Sequence, residues 1–309
     1  MRRAAADPID GVLALDKPRG LSSNLALQRA RHLLGARKAG HTGTLDPLAS
    51  GLLPLTFGEA TKFSADLLDA DKEYEACIGL GATTQSGDAE GPVLERRPVA
   101  VSREQFEAAL ARFVGSGTQV PPMHSALKRD GRPLYELARQ GREVERAPRA
   151  VVISRLQLVH WDEDRPVVRV ECGKGTYVRV LAQDIGAALG CGAHLAALRR
   201  TRVGHLRLEQ AIGLEQLQAQ DLAQRRAGLL PVDALLTRLP GVALDAEAAA
   251  RFGHGQRVAF AGAAAGPTGE ERLRVYDPAG RLMGVARRDG RWLEPARLVT
   301  QAGAQAVRN

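Results

Sequence analysis

The run Gly40-His41-Thr42-Gly43-Thr44-Leu45-Asp46-Pro47-Leu48-Ala49-Ser50-Gly51 holds one aspartate among small residues. With residues 36–39 it reads as a loop. Gly, Thr and Pro punctuate it, and neither a helical nor an alternating apolar pattern is sustained. Pro47 fixes the chain after Asp46, while Gly43 and Gly51 permit close backbone approach. A lone carboxylate in such a loop is either a turn cap or a reactive group tuned by its surroundings. Its spacing alone does not choose between them.

The flanks of the loop set the fold class. Upstream, Gly11 to Leu15 is a short buried-looking strand, stopped by Asp16-Lys17-Pro18-Arg19-Gly20. Ser22 or Ser23 caps a helix from Asn24 to Leu34 that Gly35 closes. Downstream, Leu52 to Phe57 reads as a strand and Glu59 to Leu68 as a helix. Lys72 to Leu80 alternates, with Tyr74, Ala76, Ile78 and Leu80 on one face of a half-buried strand. Ser102-Arg103-Glu104-Gln105 is a capping box opening a helix with Phe106, Leu110 and Phe113 inward. Ser125 to Lys128 reads as extended, 129–132 as a turn and Pro133 to Arg139 as a helix. Strands follow at Val151 to Trp161 and Val167 to Cys172, then a helix from Tyr177 to Leu189 closed by Gly190. Such irregular interleaving favours an α+β mixed sheet over a doubly wound parallel one.

Past residue 213 the texture changes to a polar, Gln-rich helical stretch, 214–230, punctuated by Pro231 and Pro240-Gly241. From Asp245 onward, a capped helix, a strand at 256–260, an Ala/Gly segment at 261–269 and short strands joined by Asp/Gly turns make a small β-rich unit. The expected organisation is a disordered tail at 1–10, a first domain at 11–240 and a second at 241–309.

Composition narrows the function classes. The chain has 309 residues, enough to bury a sizeable core, and no run of eighteen apolar residues that would encode a membrane helix. Its start is basic but lacks the apolar stretch of a signal peptide. Cys77, Cys172 and Cys191 are far apart and form no Cys-x-x-Cys pair, which points to a reducing cytoplasm and away from disulfides or zinc. The seven histidines are dispersed, so no bound metal is expected. There is no Gly-x-Gly-x-x-Gly or Walker A run, so no cofactor is expected either. The net charge of +8 suggests a polyanionic partner, and only six of the 43 basic residues are lysine. Arginine's planar fork suits phosphate, although a GC-rich codon bias raises arginine too.

Several ordered blocks carry a resemblance. Gly40-His41-Thr42-Gly43-Thr44-Leu45-Asp46-Pro47 resembles the active-site signature of the TruB branch of the pseudouridine synthases. Leu15-Asp16-Lys17-Pro18, Gly58-Glu59-Ala60-Thr61-Lys62 and Asp71-Lys72-Glu73-Tyr74 match that family in order. So do 121–128, 134–141, Gly173-Lys174-Gly175-Thr176-Tyr177-Val178-Arg179 and Leu198-Arg199-Arg200. The likeness spans residues 11–213, and the C-terminal unit resembles the PUA RNA-binding domain.

The resemblance implies an isomerase that turns uridine 55 of the tRNA T-loop into pseudouridine, acting on a T-arm as a cytoplasmic monomer. By it, Asp46 is the catalytic carboxylate, paired with Arg179. Tyr74 stacks on the flipped base, Leu198 walls the pocket and Tyr177 supports it. His41 inserts into the T-loop, and Lys17, Lys62 and Lys174 are RNA-binding. His124 stands where many relatives carry Tyr and is assigned no catalytic role. Two alternatives stay open: a dyskerin-like synthase dependent on guide RNA, and an RNA chaperone that helps tRNA fold.

Overall fold

The computed structural model describes residues 9–125, 127–129, 131–260 and 271–300. The expected tail through residue 8, the centre of the 129–132 turn at Asp130 and the Ala/Gly segment 261–269 lie outside the described residues. The tail expectation reached too far at its end. Ile9 is buried, and Asp10 accepts a hydrogen bond from the Glu59 amide at 2.7 Å.

One ten-stranded sheet carries the larger part. Its main path runs Ile212–Gly213, Gly11–Lys17, Ala49–Phe57, Ala193–Val203, Lys72–Leu80, Val167–Cys172, Arg149–His160 and Gly115–Gln119. Ala39–His41 pairs on the side with Ala49–Phe57. Most neighbours are antiparallel, but Ala193–Val203 runs parallel to Ala49–Phe57, so the sheet is mixed and the class is α+β. A second, five-stranded sheet is ordered Gly241–Ala243, Glu271–Tyr276, Leu282–Asp289, Trp292–Leu298 and Val258–Ala259.

On one face of the large sheet, the helices Ser23–Leu34, Arg103–Ala111 and Val178–Leu189 bury Leu27, Phe106, Leu181 and Ile185 against Leu15, Leu53, Ile78 and Val170. Loop residues Leu45 and Leu48 sink into the same cluster. On the other face, near strands 11–17 and 49–57, Val12, Leu52, Phe63, Leu67 and Leu236 gather with Val285 of the second sheet. Burial of this apolar surface is the main stabilising contribution to both layers and to the seam between them.

Three segments differ from the sequence reading. The strand after the loop starts at Ala49, because Ala49, Ser50 and Gly51 pair with Leu198, Arg199 and Arg200. The helix expected at 59–68 is a 3-10 turn, Gly58–Phe63, followed by a short α-helix, Ser64–Leu68. The stretch 214–230 divides into Leu214–Ala219 and Leu222–Ala227, since Asp221 and Gln224 form a capping box that restarts the chain.

Candidate active site

The loop that carries Asp46 is tethered on several sides. Ser22 caps the helix Ser23–Leu34, which places Ser23 at its buried start. Ser23 Oγ accepts from the Leu45 amide at 2.7 Å and donates to the Leu45 carbonyl at 2.8 Å. The Gly20 amide donates to the Pro47 carbonyl, and the Thr42 amide to the Pro54 carbonyl. From the central strand, Arg200 donates through Nη2 to the Gly43 carbonyl at 3.0 Å and through Nε to the Leu52 carbonyl at 2.7 Å. Arg200 is 1% exposed, and none of the described carboxylates forms an ion pair with it. Gly43 (φ +84°) and Gly51 (φ +99°) both adopt the left-handed region against this arginine. A Cβ on Gly51 would strike the backbone of Arg200.

Arg179, in the first turn of Val178–Leu189, completes the site. Gln119 on the edge strand holds the start of this helix, accepting from the Tyr177 amide at 2.9 Å and donating to the Tyr177 carbonyl at 3.3 Å. Arg179 Nη2 lies 3.0 Å from Asp46 Oδ2 and donates to the His124 carbonyl at 2.6 Å. Its Nη1 donates to the Ser86 carbonyl at 3.1 Å and lies 3.7 Å from Asp88 Oδ2. Asp88 is buried and held through Oδ1 by the Ser86 hydroxyl and the Glu90 amide. One guanidinium thus sits between two carboxylates, fixed by two carbonyls.

Asp46 keeps 44% of its side-chain surface open, and its Oδ1 bears no hydrogen bond among the described residues. Protein encloses the rest. Burial pushes the carboxyl above its ordinary pKa, Arg179 pulls it down, Asp88 pushes it up and Lys17 pulls it down. An oriented carboxylate with one free oxygen and an open approach can act as nucleophile or as base.

The other sequence-derived residues fall into two groups. Tyr74, on the strand Lys72–Leu80, is 9% exposed and lies opposite Arg200 across the strand pair. Burial raises its phenol pKa, and Arg200 opposes the rise. Leu198 sits half-buried between Ala49 and Ala76 on the neighbouring strands. Tyr177 is half-buried at the start of its helix, with a phenol likewise raised by burial. His41 is half-buried and its Nδ1 has no partner; burial and Arg200 lower its pKa. Lys174 is 67% exposed beside Asp69.

Two lysines are corrected. Lys17 is fully buried and donates to the Pro18 and Leu21 carbonyls, so it offers no surface to an RNA phosphate. Burial brings its pKa down to about 8 even though Asp46 raises it. Lys62 binds Glu59, the Leu298 carbonyl and Thr300, and so fastens the first unit to the end of the second instead of facing a groove. Sequence reasoning named Ser23 and Arg200 without giving them a place in the site, and it missed Asp88. The faint signal for Asp88 was an aspartate in a Gly-containing turn, Ser86-Gly87-Asp88.

Three family models tile the chain. TruB family pseudouridylate synthase, N-terminal domain, matches residues 31–178. The tRNA pseudouridylate synthase B C-terminal domain matches 179–237, and Pseudouridine synthase II TruB, C-terminal, matches 240–299. The chain is similar to a chain of a solved Cbf5-Nop10-Gar1 complex, with a TM-score of 0.73 and 27% identity over 93% of this chain and 84% of that one. The fold and the family matches are those of a pseudouridine synthase. Curated relatives narrow this further. A tRNA pseudouridine synthase B from Burkholderia mallei (strain ATCC 23344) is 60% identical over 96% of both chains. One from Dechloromonas aromatica (strain RCB) is 59% identical over 95% of this chain and 97% of its own length. The chain belongs to the TruB family. No helix among the described residues is long and apolar enough to cross a membrane.

Proposed function

We propose that this enzyme isomerises uridine 55 in the T-loop of tRNA to pseudouridine, working as a cytoplasmic monomer on the T-arm. The observation that carries the reading is the Asp46 carboxylate, held through one oxygen at 3.0 Å by Arg179 and open at the other, in a chain 60% identical to tRNA pseudouridine synthases B. The reaction exchanges the C1′–N1 bond of the nucleoside for C1′–C5 with no net gain or loss of atoms or electrons, and it needs no cofactor. The target base is flipped from its stack into the pocket, a cost met by contacts elsewhere on the RNA.

In this reading Asp46 is the catalytic residue and Arg179 keeps it ionised and aimed. Tyr74 offers a ring that tolerates rotation of the base, and Leu198 keeps one wall dry. Tyr177 borders the pocket, His41 inserts among the T-loop bases and Lys174 meets phosphate. Residues 11–240 form the catalytic unit, and 241–309 a PUA-like RNA-binding unit. A guide-RNA-dependent enzyme is the less favoured reading, because the near end-to-end relatives at 60% identity are tRNA enzymes.

The test is pseudouridine formation on a T-arm transcript, with purified wild type and Asp46→Asn and no other protein or RNA present. Wild-type turnover with a silent mutant is expected. An active Asp46→Asn enzyme refutes the assignment, and a mutant that still binds and refolds tRNA separates a chaperone activity from the chemistry.

A further inference from the structure

An RNA is a polyanion, yet carboxylates gather at this site. Asp46 and Asp88 flank Arg179, and Glu90 follows, its amide donating to Asp88 Oδ1 at 3.1 Å and its side chain exposed. Burial and the charges of Asp88 and Asp46 push the Glu90 carboxyl above its ordinary pKa, while Arg19 and Lys17 pull it down. The three carboxylates therefore share one region, and Arg19 borders it.

Of the arginine and lysine charges that act on Asp46 and Glu90, two are already committed. Arg179 is 7% exposed and fixed by Asp46 and two carbonyls. Lys17 is fully buried, with its ammonium on the Pro18 and Leu21 carbonyls. Arg19 is the third. It is exposed, and it makes no ion pair or hydrogen bond among the described residues.

The turn that carries Arg19 is nevertheless fixed. Lys17 holds both of its ends, at 3.0 Å from the Pro18 carbonyl and 2.6 Å from that of Leu21. The Gly20 amide donates to the Pro47 carbonyl at 2.8 Å, which ties the turn to the residue after Asp46. Gly20 takes φ +86°, where a side chain would be strained. An unpaired guanidinium on a braced turn beside the Asp46 loop offers phosphate a planar fork of donors without first breaking a contact.

We propose that Arg19 grips a backbone phosphate flanking the flipped uridine, and so offsets the repulsion between the RNA and the carboxylates of the site. The inference rests on the uridine-isomerising function proposed above and adds a residue to it. The block Leu15-Asp16-Lys17-Pro18 that carries the resemblance ends just before this position. When the base enters the pocket and its C1′ approaches Asp46, the phosphates on either side of the sugar stay at the rim. A contact there positions the nucleotide without reading its base.

The experiment pairs Arg19→Gln with neutralised phosphates. Synthetic T-arm RNAs carry a methylphosphonate on the 5′ side of the target uridine, on its 3′ side, or at a remote stem position. Single-turnover rates over a range of enzyme concentrations give the half-saturating concentration. On unmodified RNA at low salt, Arg19→Gln raises it about tenfold, the worth of one charge-assisted bond. One flanking methylphosphonate weakens wild type by a similar factor and Arg19→Gln by less than about threefold, while the remote one affects both enzymes alike. The salt dependence of binding, as a log–log slope, falls by about one in the variant. Arg19→Lys, which keeps the charge without the fork, lies between the two. Because the coupling is read as a ratio between RNAs, a general loss of folded enzyme does not mimic it. An unchanged half-saturating concentration in Arg19→Gln, or flanking methylphosphonates that weaken both enzymes equally, would overturn the inference. Inactivity of the wild-type protein on unmodified RNA would instead sink the proposed function, and this contact with it.

Discussion

Arg179→Lys keeps the charge beside Asp46 and removes the fork. In the native site Nη2 reaches both Asp46 Oδ2 at 3.0 Å and the His124 carbonyl at 2.6 Å, while Nη1 serves the Ser86 carbonyl at 3.1 Å and faces Asp88 at 3.7 Å. A lysine ammonium is a single centre and can follow one of these pairs but not both. Hydrogen bonds to charged groups contribute about 1.5–3 kcal/mol each. Losing the grip on Asp46 together with one carbonyl contact then costs about 3 kcal/mol, or about a hundredfold in kcat. Binding of the T-arm should change little, because Arg179 is 7% exposed and lies behind the carboxylate. The pH profile supplies a second readout. Arg179 is the strongest influence pulling the Asp46 carboxyl down against burial, so retreat of the positive charge lets that pKa rise. Activity that needs the ionised carboxylate is then lost at higher pH, and the acid limb of kcat moves up. Steady-state kinetics of pseudouridine formation between pH 5 and 8 read both effects. A variant within threefold of wild type with an unmoved acid limb would show that the fork does not orient Asp46.

Two further perturbations test the support beneath the loop. Arg200→Met removes the bonds to the Gly43 and Leu52 carbonyls, the buried bond to Leu52 alone being worth about 1–3 kcal/mol. The expected result is a melting midpoint lowered by several degrees and a fall in kcat larger than any rise in KM; an unchanged kcat in a folded variant contradicts the loop-bracing role. Lys17 gives a pH effect of defined sign. Its pKa is about 8 in the fold against the ordinary 10.5 of a lysine, so the unfolded chain binds the extra proton between those values and stability rises with pH across that window. The contribution is about 3 kcal/mol in full. Cys172, pushed up to about 11, acts in the opposite direction above pH 9, so the measurement is the difference in unfolding free energy between wild type and Lys17→Met. That difference should shift in favour of wild type from pH 8 to 10.5, and a flat difference means Lys17 is not held as a desolvated cation.

What could be read from the chain was local, and what could not was a matter of pairing between distant segments. The cap at Ser22, the stop at Gly35 and the alternation of Lys72 to Leu80 are each signals carried by adjacent residues, and the corresponding helix and strand are there. The central strand Ala193–Val203 escaped notice. It carries His194, Arg199, Arg200 and Arg202 where alternation would want apolar residues, and irregularities at 195/197 and 200/202 shift its register. Those shifts let neighbouring arginines do opposite things: Arg199 reaches out to half-exposed Asp16 at 2.8 Å, while Arg200 turns inward with 1% exposure. No composition rule assigns an arginine to the core, since its burial is tolerable only when fixed carbonyls meet its donors. The same reasoning explains Lys17, which resemblance placed on the RNA surface and which is buried with its ammonium on the Pro18 and Leu21 carbonyls. The sequence motif singles out Asp46, the carboxylate proposed to react. Its rigidity comes from Ser23, Arg200 and Arg179, brought by a helix, the central strand and another helix to three sides of one loop. In the proposed reaction the aspartate must be held still while the detached base turns beside it, and that stillness is a property of the whole sheet.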